Sequence, residues 1–386
     1  MKQNRFNLKY INFCIFILIQ LLASSCYATD KSVLIKPADP KIVYLGRIDF
    51  QDSLKPMFSY PGVSIKAKFK GTSIAAILED FGSGDERTTN YFSVLIDNKL
   101  YSVLKLKSGV ETYQLAQGLK DTNHTVELIK RTESMVGKCA FHGFKLEENK
   151  SLLVIEEQKT LKFEFVGDSF TAGYGNDTSF VEGNPLGFTS ENENNFTAWG
   201  AIATRKLKAQ YVCTAYSGRG MYRNFDGSTT GTLPQLYDYI FPNDKNSPKW
   251  NQQLYSPDII TVTLGINDHY LNGVNPPQKL DSSAFVKTYI QFLIKLNEIH
   301  PKAKLICVIP SGISDVYPQG LNQRTVFTSW MHDIVKSAEK KTGSKIYILT
   351  HSVQQAPFGE DWHPSNKSHE VMADEFVKFV KKEVLK

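Results

Sequence analysis

The sequence predicts two domains: an all-β domain of jelly-roll type over residues 33–150, then an α/β three-layer domain with a mainly parallel sheet over 155–386. Three observations predict this. Up to residue 150, apolar and polar residues alternate with period two. Beyond it, short apolar runs alternate with helical stripes, the rhythm of a sheet covered on both faces. Finally, polar, glycine-bearing motifs fall directly after several of those runs, where the carboxyl ends of strands build sites in such sheets.

The size agrees. A chain of 386 residues, 41% of them hydrophobic, can bury one large core or two ordinary ones, and the length favours two. Charged residues make up 22% of the chain, which excludes global disorder.

The start of the chain reads as an export signal over residues 1–28. Lys2, Arg5 and Lys9 precede an apolar run over 11–22, and small residues follow. That run is too short for a comfortable transmembrane span, so no transmembrane segment is expected and a secreted or periplasmic location is. Cleavage after Ala28 is one outcome; a degenerate lipoprotein box ending at Cys26, with a lipid anchor there, is the other. The formal charge of +6 includes those three leader cations, and losing them leaves about +3. No dense Lys/Arg run interleaved with aromatics follows, so a nucleic-acid partner is not expected. Past the leader only Cys139, Cys213 and Cys307 remain, an odd and widely spaced set that is no disulfide framework. No Cys or His pair has zinc-site spacing.

In the front half, Val63, Ile65, Ala67 and Phe69 alternate with Ser64, Lys66, Lys68 and Lys70, a strand with one wet face. Residues 91–96 and 100–106 flank Asp97-Asn98-Lys99 as a hairpin. Val126 and Leu128 continue the alternation, and turn signals such as Pro61-Gly62 and Gly82-Ser83-Gly84 recur without a long helical stripe. Together these give the sandwich.

In the back half, strands are predicted at 161–166, 211–215, 259–264, 305–309 and 346–349. Helices are predicted at 197–207, 283–299, 326–341 and from Glu370. In the second, Phe285, Tyr289, Phe292, Leu293 and Leu296 recur at helical spacing.

Four motifs carry chemistry. Gly167-Asp168-Ser169 follows the first predicted strand, which would expose a serine at the sheet edge with its amide turned into the site. Tyr216-Ser217-Gly218-Arg219-Gly220 follows the second, where glycine lets an amide be offered without a side chain in the way. Gly265-Ile266-Asn267-Asp268 follows the third, and an asparagine amide there can donate to a developing oxyanion. Asp361-Trp362-His363-Pro364-Ser365 precedes the last helix. It offers His363 as a base, Asp361 to orient its ring, and Pro364 to keep His363 extended. Each motif alone is also an ordinary turn; their joint order is what points to acyl transfer.

With these four blocks the chain resembles the SGNH hydrolase (GDSL-type esterase) superfamily. The resemblance implies Ser169 as nucleophile and His363 as base, with the Ser169 amide, the Gly218 amide and the Asn267 side chain as oxyanion hole. The front half narrows it. Tyr60-Pro61-Gly62, the run from His124 to Glu133, and Ser217 to Asn224 resemble carbohydrate esterase family two. That family implies deacetylation of O-acetylated plant-type polysaccharides or oligosaccharides, with 6-O-acetyl hexosyl groups preferred and no metal or organic cofactor.

Many superfamily members place an acid three residues before the histidine; here Asp361 is two before and Glu360 three before. Asp361 is expected as the third triad member, with Glu360 in reserve and a Ser-His dyad as the further alternative. Trp362 and Tyr222 are expected as substrate contacts, and His269 as a solvated turn residue. Two rival functions use the same residues: a lipase or thioesterase on this scaffold, and a carbohydrate-binding protein whose hydrolase domain is silent.

Overall fold

The computed structural model describes residues 32–156, 160–177, 187–269 and 279–386. The expected export signal over 1–28 and the alternative of a lipid anchor at Cys26 fall outside the described residues.

The front half is two antiparallel sheets. Its strands are β1 (Ser32–Ile35), β2 (Val43–Leu45), β3 (Ile48–Asp49), β4 (Met57–Phe58), β5 (Ser64–Gly71), β6 (Ile74–Asp80), β7 (Tyr91–Ile96), β8 (Lys99–Lys105), β9 (Gly109–Ala116), β10 (Thr122–Lys130), β11 (Cys139–Glu147) and β12 (Leu152–Leu153). One sheet runs β3-β4-β11-β6-β9 with β1 on β11; the other runs β12-β5-β10-β7-β8 with β2 on β5. In β5 the alternation behaves as its sequence requires: Ile65, Ala67 and Phe69 are fully buried while the lysines between them reach outward. Phe58, Phe92, Phe141 and Phe144 join them in one core between the sheets. The hairpin from β7 to β8 turns on two residues rather than three. Ile96 pairs with Lys99, and Asp97 and Asn98 both take positive φ, the turn whose twist suits a hairpin.

The back half is a five-stranded parallel sheet, order β14-β13-β15-β16-β17. These are β13 (Lys162–Gly167), β14 (Gln210–Ala215), β15 (Ile259–Thr263), β16 (Lys304–Ile309) and β17 (Ile346–Thr350). The helices are α1 (Ser169–Ala172), α2 (Trp199–Leu207), α3 (Leu233–Leu236), α4 (Ile266–His269), α5 (Ser282–Ile299), α6 (Gln323–Thr342) and α7 (Asn366–Phe379). Alternate strand residues feed two cores, which makes three layers. Leu305, Cys307 and Ile309 pack with Phe285, Leu293, Phe327 and Ile334 of α5 and α6. Ile306 and Val308 pack with Trp199 of α2 and with Met372 and Phe376 of α7. The last helix begins at Asn366, four residues before the predicted start. Ser365 caps it by accepting the Ser368 amide, and its first turn is polar, so no apolar stripe marks it. In this strand order the chain runs outward from β13 to β14 and then returns past it to β15, so the switch in direction falls beside β13.

The two halves share a buried interface. Arg47, buried, pairs with Glu164 of β13 at 2.9 Å, and Glu164 also accepts from Thr214 (2.7 Å) and Tyr237 (2.9 Å). Gly62 sits where chains meet: a Cβ there would lie 2.7 Å from Asn195 Oδ1 and 2.8 Å from the Tyr211 ring, so the Tyr60-Pro61-Gly62 stretch marks close approach between domains.

Candidate active site

Ser169 is the first residue of α1, directly past β13, and is buried but for its reactive edge. Asp168 caps that helix by accepting the Phe170 amide at 3.1 Å. The first amides of a helix have no internal partner, so the Ser169 N–H is free to face a ligand. Across the site, His363 Nε2 lies 2.8 Å from Ser169 Oγ.

The other ring nitrogen decides the tautomer. His363 Nδ1 is 3.0 Å from the backbone carbonyl of Glu360. A carbonyl only accepts, so Nδ1 carries the proton and Nε2 presents its lone pair to the serine hydroxyl. The same carbonyl accepts the His363 amide at 2.9 Å, which closes a tight turn. Within that turn Asp361 (φ 49°) and Trp362 (φ 62°) are both left-handed, a conformation that costs non-glycine residues energy and is held here by surrounding bonds. Those are Gly359 N–H to His363 O (2.7 Å), Glu360 N–H to Gly175 O (2.9 Å) and Gln354 to Trp362 O (2.8 Å). His363 itself is extended, as the following proline requires.

Asp361 does not take the expected triad position. Its Oδ2 accepts the Tyr174 hydroxyl at 2.6 Å, and the ring nitrogen it was to hold is bonded to the Glu360 carbonyl instead. The physical reason is the left-handed backbone at Asp361, which turns the carbonyl of Glu360 rather than the next carboxylate toward the imidazole. The Glu360 side chain is directed elsewhere: it is buried and accepts the Gly187 amide at 3.2 Å. Tyr174 completes the support, its ring 4.2 Å from the imidazole with Phe170 at 5.3 Å. Burial between these rings pushes the His363 pKa down to about 4, against the opposing pull of the Glu360 carbonyl and the Asp361 charge.

Of the remaining expected donors, Asn267 lies beside Asp168, the neighbour of the serine. Asn267, in α4 rather than in a loop, sends Nδ2 to Arg219 O (3.0 Å) and toward Asp168 Oδ2 (3.4 Å), so it touches the neighbours of both other donors. Gly218 has φ 76°, and Phe225 lies over it: a Cβ would come 2.7 Å from that ring. Burial raises the Asp168 carboxyl to about 8.

Three other expectations meet different outcomes. Trp362 is 55% exposed beside the site, its ring 5.3 Å from Phe358, open to a ligand. Tyr222 is half-buried and packs on the core under its loop, which leaves its ring tied to that core. His269 is buried among Phe285, Phe327 and Trp330, with Nδ1 on the Gly265 carbonyl at 2.8 Å, because the short helix turns it inward.

Sequence reasoning missed Tyr174, Asp268 and Glu133. Asp268 is buried and accepts the amides of Met221 (2.8 Å), Tyr222 (2.7 Å) and Arg223 (2.8 Å), anchoring the glycine loop. Its place after Asn267 in a polar motif was the available signal. For Tyr174 and Glu133 no spacing signal existed.

Both halves of the chain match known protein families. Residues 44–155 match the family described as carbohydrate esterase 2 N-terminal, and 165–371 match the GDSL-like lipase/acylhydrolase family. A cellulase/esterase of Acetivibrio thermocellus is 28% identical over 345 residues, 89% of this chain; the chain spans 39% of that relative's length. An acetylxylan esterase/glucomannan deacetylase of Cellvibrio japonicus is 24% identical over 344 residues, 88% of each chain. Among solved structures, a family two carbohydrate esterase from Clostridium thermocellum, in complex with cellohexaose, aligns with TM-score 0.79 and 27% identity over 89% of this chain and 99% of that one. With both halves matched in order and the whole fold superposing, the chain belongs to the GDSL-like lipase/acylhydrolase family and carries the N-terminal domain of carbohydrate esterase family 2.

Proposed function

We propose that this chain is an exported serine esterase that deacetylates O-acetylated polysaccharide or oligosaccharide through an acetyl-enzyme on Ser169. The observation that carries the reading is the 2.8 Å Ser169–His363 contact with the opposite ring nitrogen committed to a carbonyl. Family membership supports ester hydrolysis, and the names of the similar proteins support acetylated xylan or glucomannan as substrates. Export is supported by the charged start and the apolar run over 11–22.

In this mechanism His363 Nε2 takes the hydroxyl proton as Ser169 Oγ attacks the acetyl carbonyl carbon. The carbonyl oxygen becomes an oxyanion and draws on the Ser169 amide, the Gly218 amide and Asn267 Nδ2. His363, now carrying both protons, keeps its Nδ1 bond to the Glu360 carbonyl and lies in the field of the Asp361 carboxylate. It returns a proton to the departing sugar oxygen. Water then attacks the acetyl-enzyme, with His363 again taking a proton, and acetate leaves as His363 returns that proton to Ser169 Oγ. No step needs a metal or an organic cofactor. Exposed Trp362 and half-exposed Phe225, which lies over Gly218, offer apolar faces to a sugar ring.

The test is acetate release from acetylated xylan, acetylated glucomannan and an aryl acetate by wild type and Ser169→Ala. Release abolished in the variant supports the serine esterase, and the polymer ranking names the substrate. A folded wild-type protein releasing acetate from none of them overturns the reading and favours carbohydrate binding without catalysis.

A further inference from the structure

Glu133 belongs to the front domain, three residues past β10, and its side chain is completely buried. It reaches into the back domain. Oε2 accepts the Ser217 amide at 2.7 Å and Oε1 accepts the Ser217 hydroxyl. Ser217 immediately precedes Gly218, and on its other side the Tyr216 amide is fixed to Gly167 O at 3.1 Å. One carboxylate therefore holds both donors of the residue whose carbonyl shares a peptide plane with the Gly218 N–H.

Behind Glu133 lies a second buried carboxyl, Glu193, whose Oε2 accepts the Glu133 amide at 3.0 Å. Glu193 Oε1 has no protein donor among the described residues. That orphan is resolved if Glu193 is protonated and donates to Glu133: burial and the Glu133 charge raise Glu193 well above the ordinary carboxyl range, while the bond from Glu193 opposes the rise that burial imposes on Glu133. Lys130, also buried, faces the pair with its ammonium on Thr132 O (2.7 Å), the Thr132 hydroxyl (3.2 Å) and Glu133 O (3.3 Å). On the catalytic side, burial, with the Asp268 and Glu133 charges adding to it, raises the Asp168 carboxyl. A buried charge with this many partners is costly to assemble.

We propose that Glu133 is a positioning residue of the oxyanion hole: by clamping Ser217 at both donors it aims the Gly218 amide at the developing oxyanion, so the front domain completes the catalytic site. This rests on the reading of Gly218 as an oxyanion donor. It gives the β-sandwich a part in turnover separate from any part in holding carbohydrate.

The experiment uses the full chain and an aryl acetate, with kcat, KM and thermal melting measured for wild type, Glu133→Met, Glu133→Gln, Ser217→Ala and Ser169→Ala. Loss of a whole oxyanion donor costs roughly 100- to 1,000-fold in kcat, so a misaimed one in Glu133→Met should cost about 10-fold or more with KM within about twofold. Glu133→Gln should recover most of that loss, since its carboxamide still accepts the Ser217 amide and can donate to the hydroxyl. A folded Glu133→Met with wild-type kcat, or one altered only in KM, overturns the proposal. If Glu133→Met fails to melt cooperatively, Ser217→Ala decides: kcat lowered about threefold at constant KM supports the clamp, and unchanged kcat overturns it. Ser169→Ala separates the two readings, because an active Ser169→Ala would remove the catalytic site itself, whatever Glu133 does.

Discussion

At the scale of single residues, the site turns on what holds the His363 ring. A side-chain carboxylate at Nδ1 would make turnover depend on that carboxylate, and replacing it by amide in a serine protease triad costs about 10,000-fold. Here a backbone carbonyl does the holding at 3.0 Å, and no substitution removes it. Asp361→Asn should therefore keep kcat within about tenfold of wild type, since what is lost is charge near the imidazolium and not its orientation. A loss near that of the protease would mean the carboxylate reaches the ring during turnover. The pH profile gives a second measure. His363 must be neutral to accept the serine proton, and burial pushes its pKa down to about 4, so kcat/KM should rise with an acid limb near that pH. The Asp361 charge raises this pKa, so Asp361→Asn should move the limb to lower pH. Serine and histidine were legible because each has its own side chain in a motif beside a strand or before a helix. The ring's orienting group was not, because every residue has a carbonyl and only the left-handed turn at Asp361 and Trp362 aims this one.

At the scale of elements, the helices and strands with an apolar rhythm were legible and those without one were not. The helix α5 shows its stripe in Phe285, Tyr289, Phe292, Leu293 and Leu296, all of them buried. The four-residue α4 is too short to have a period, and the first turn of α7 is polar, so the first read as a loop and the second was predicted to start late. That short α4 nevertheless organises the loop opposite it. Asp268 gathers three consecutive amides over residues 221–223, and the loop keeps its shape because one carboxylate accepts all three. Asp268→Ala strands them in a buried place, at about 1–3 kcal/mol for each donor left unsatisfied. The variant should melt earlier and lose kcat together, as Gly218 and Arg219 shift away from Asn267. Asp268→Asn should fall between: one oxygen can still accept the Tyr222 and Arg223 amides, while the new NH2 meets the Met221 donor head-on. An Asp268→Ala protein with unchanged melting and turnover would remove this anchor from the account.

At the scale of the whole molecule, the change of rhythm near residue 150 made the two halves legible, and nothing in that rhythm revealed how closely they are joined. The joint is apolar where Leu45 and Met57 pack on Ile240, Phe241 and Trp250, and charged where Arg47 meets Glu164. Arg47 comes from the sandwich, Glu164 from β13 of the other sheet, and both are under 4% exposed. The guanidinium stacks over Tyr237 at 4.4 Å, and the carboxylate takes Thr214 and Tyr237 as further donors. Breaking a buried pair by removing one partner leaves an unpaired charge and typically costs about 3–5 kcal/mol, whereas replacing both by apolar residues often costs far less. Arg47→Met should therefore destabilise strongly, and Arg47→Met with Glu164→Leu should recover much of the loss. Because separating the halves would expose this pair and the Glu133 clamp to rearrangement, the two domains should unfold in one calorimetric transition, shifted as a unit by Arg47→Met. Two transitions in wild type, with Arg47→Met moving only one of them, would mean that the halves fold independently. The interface would then serve catalysis through Glu133 alone and add little to the cohesion of the molecule.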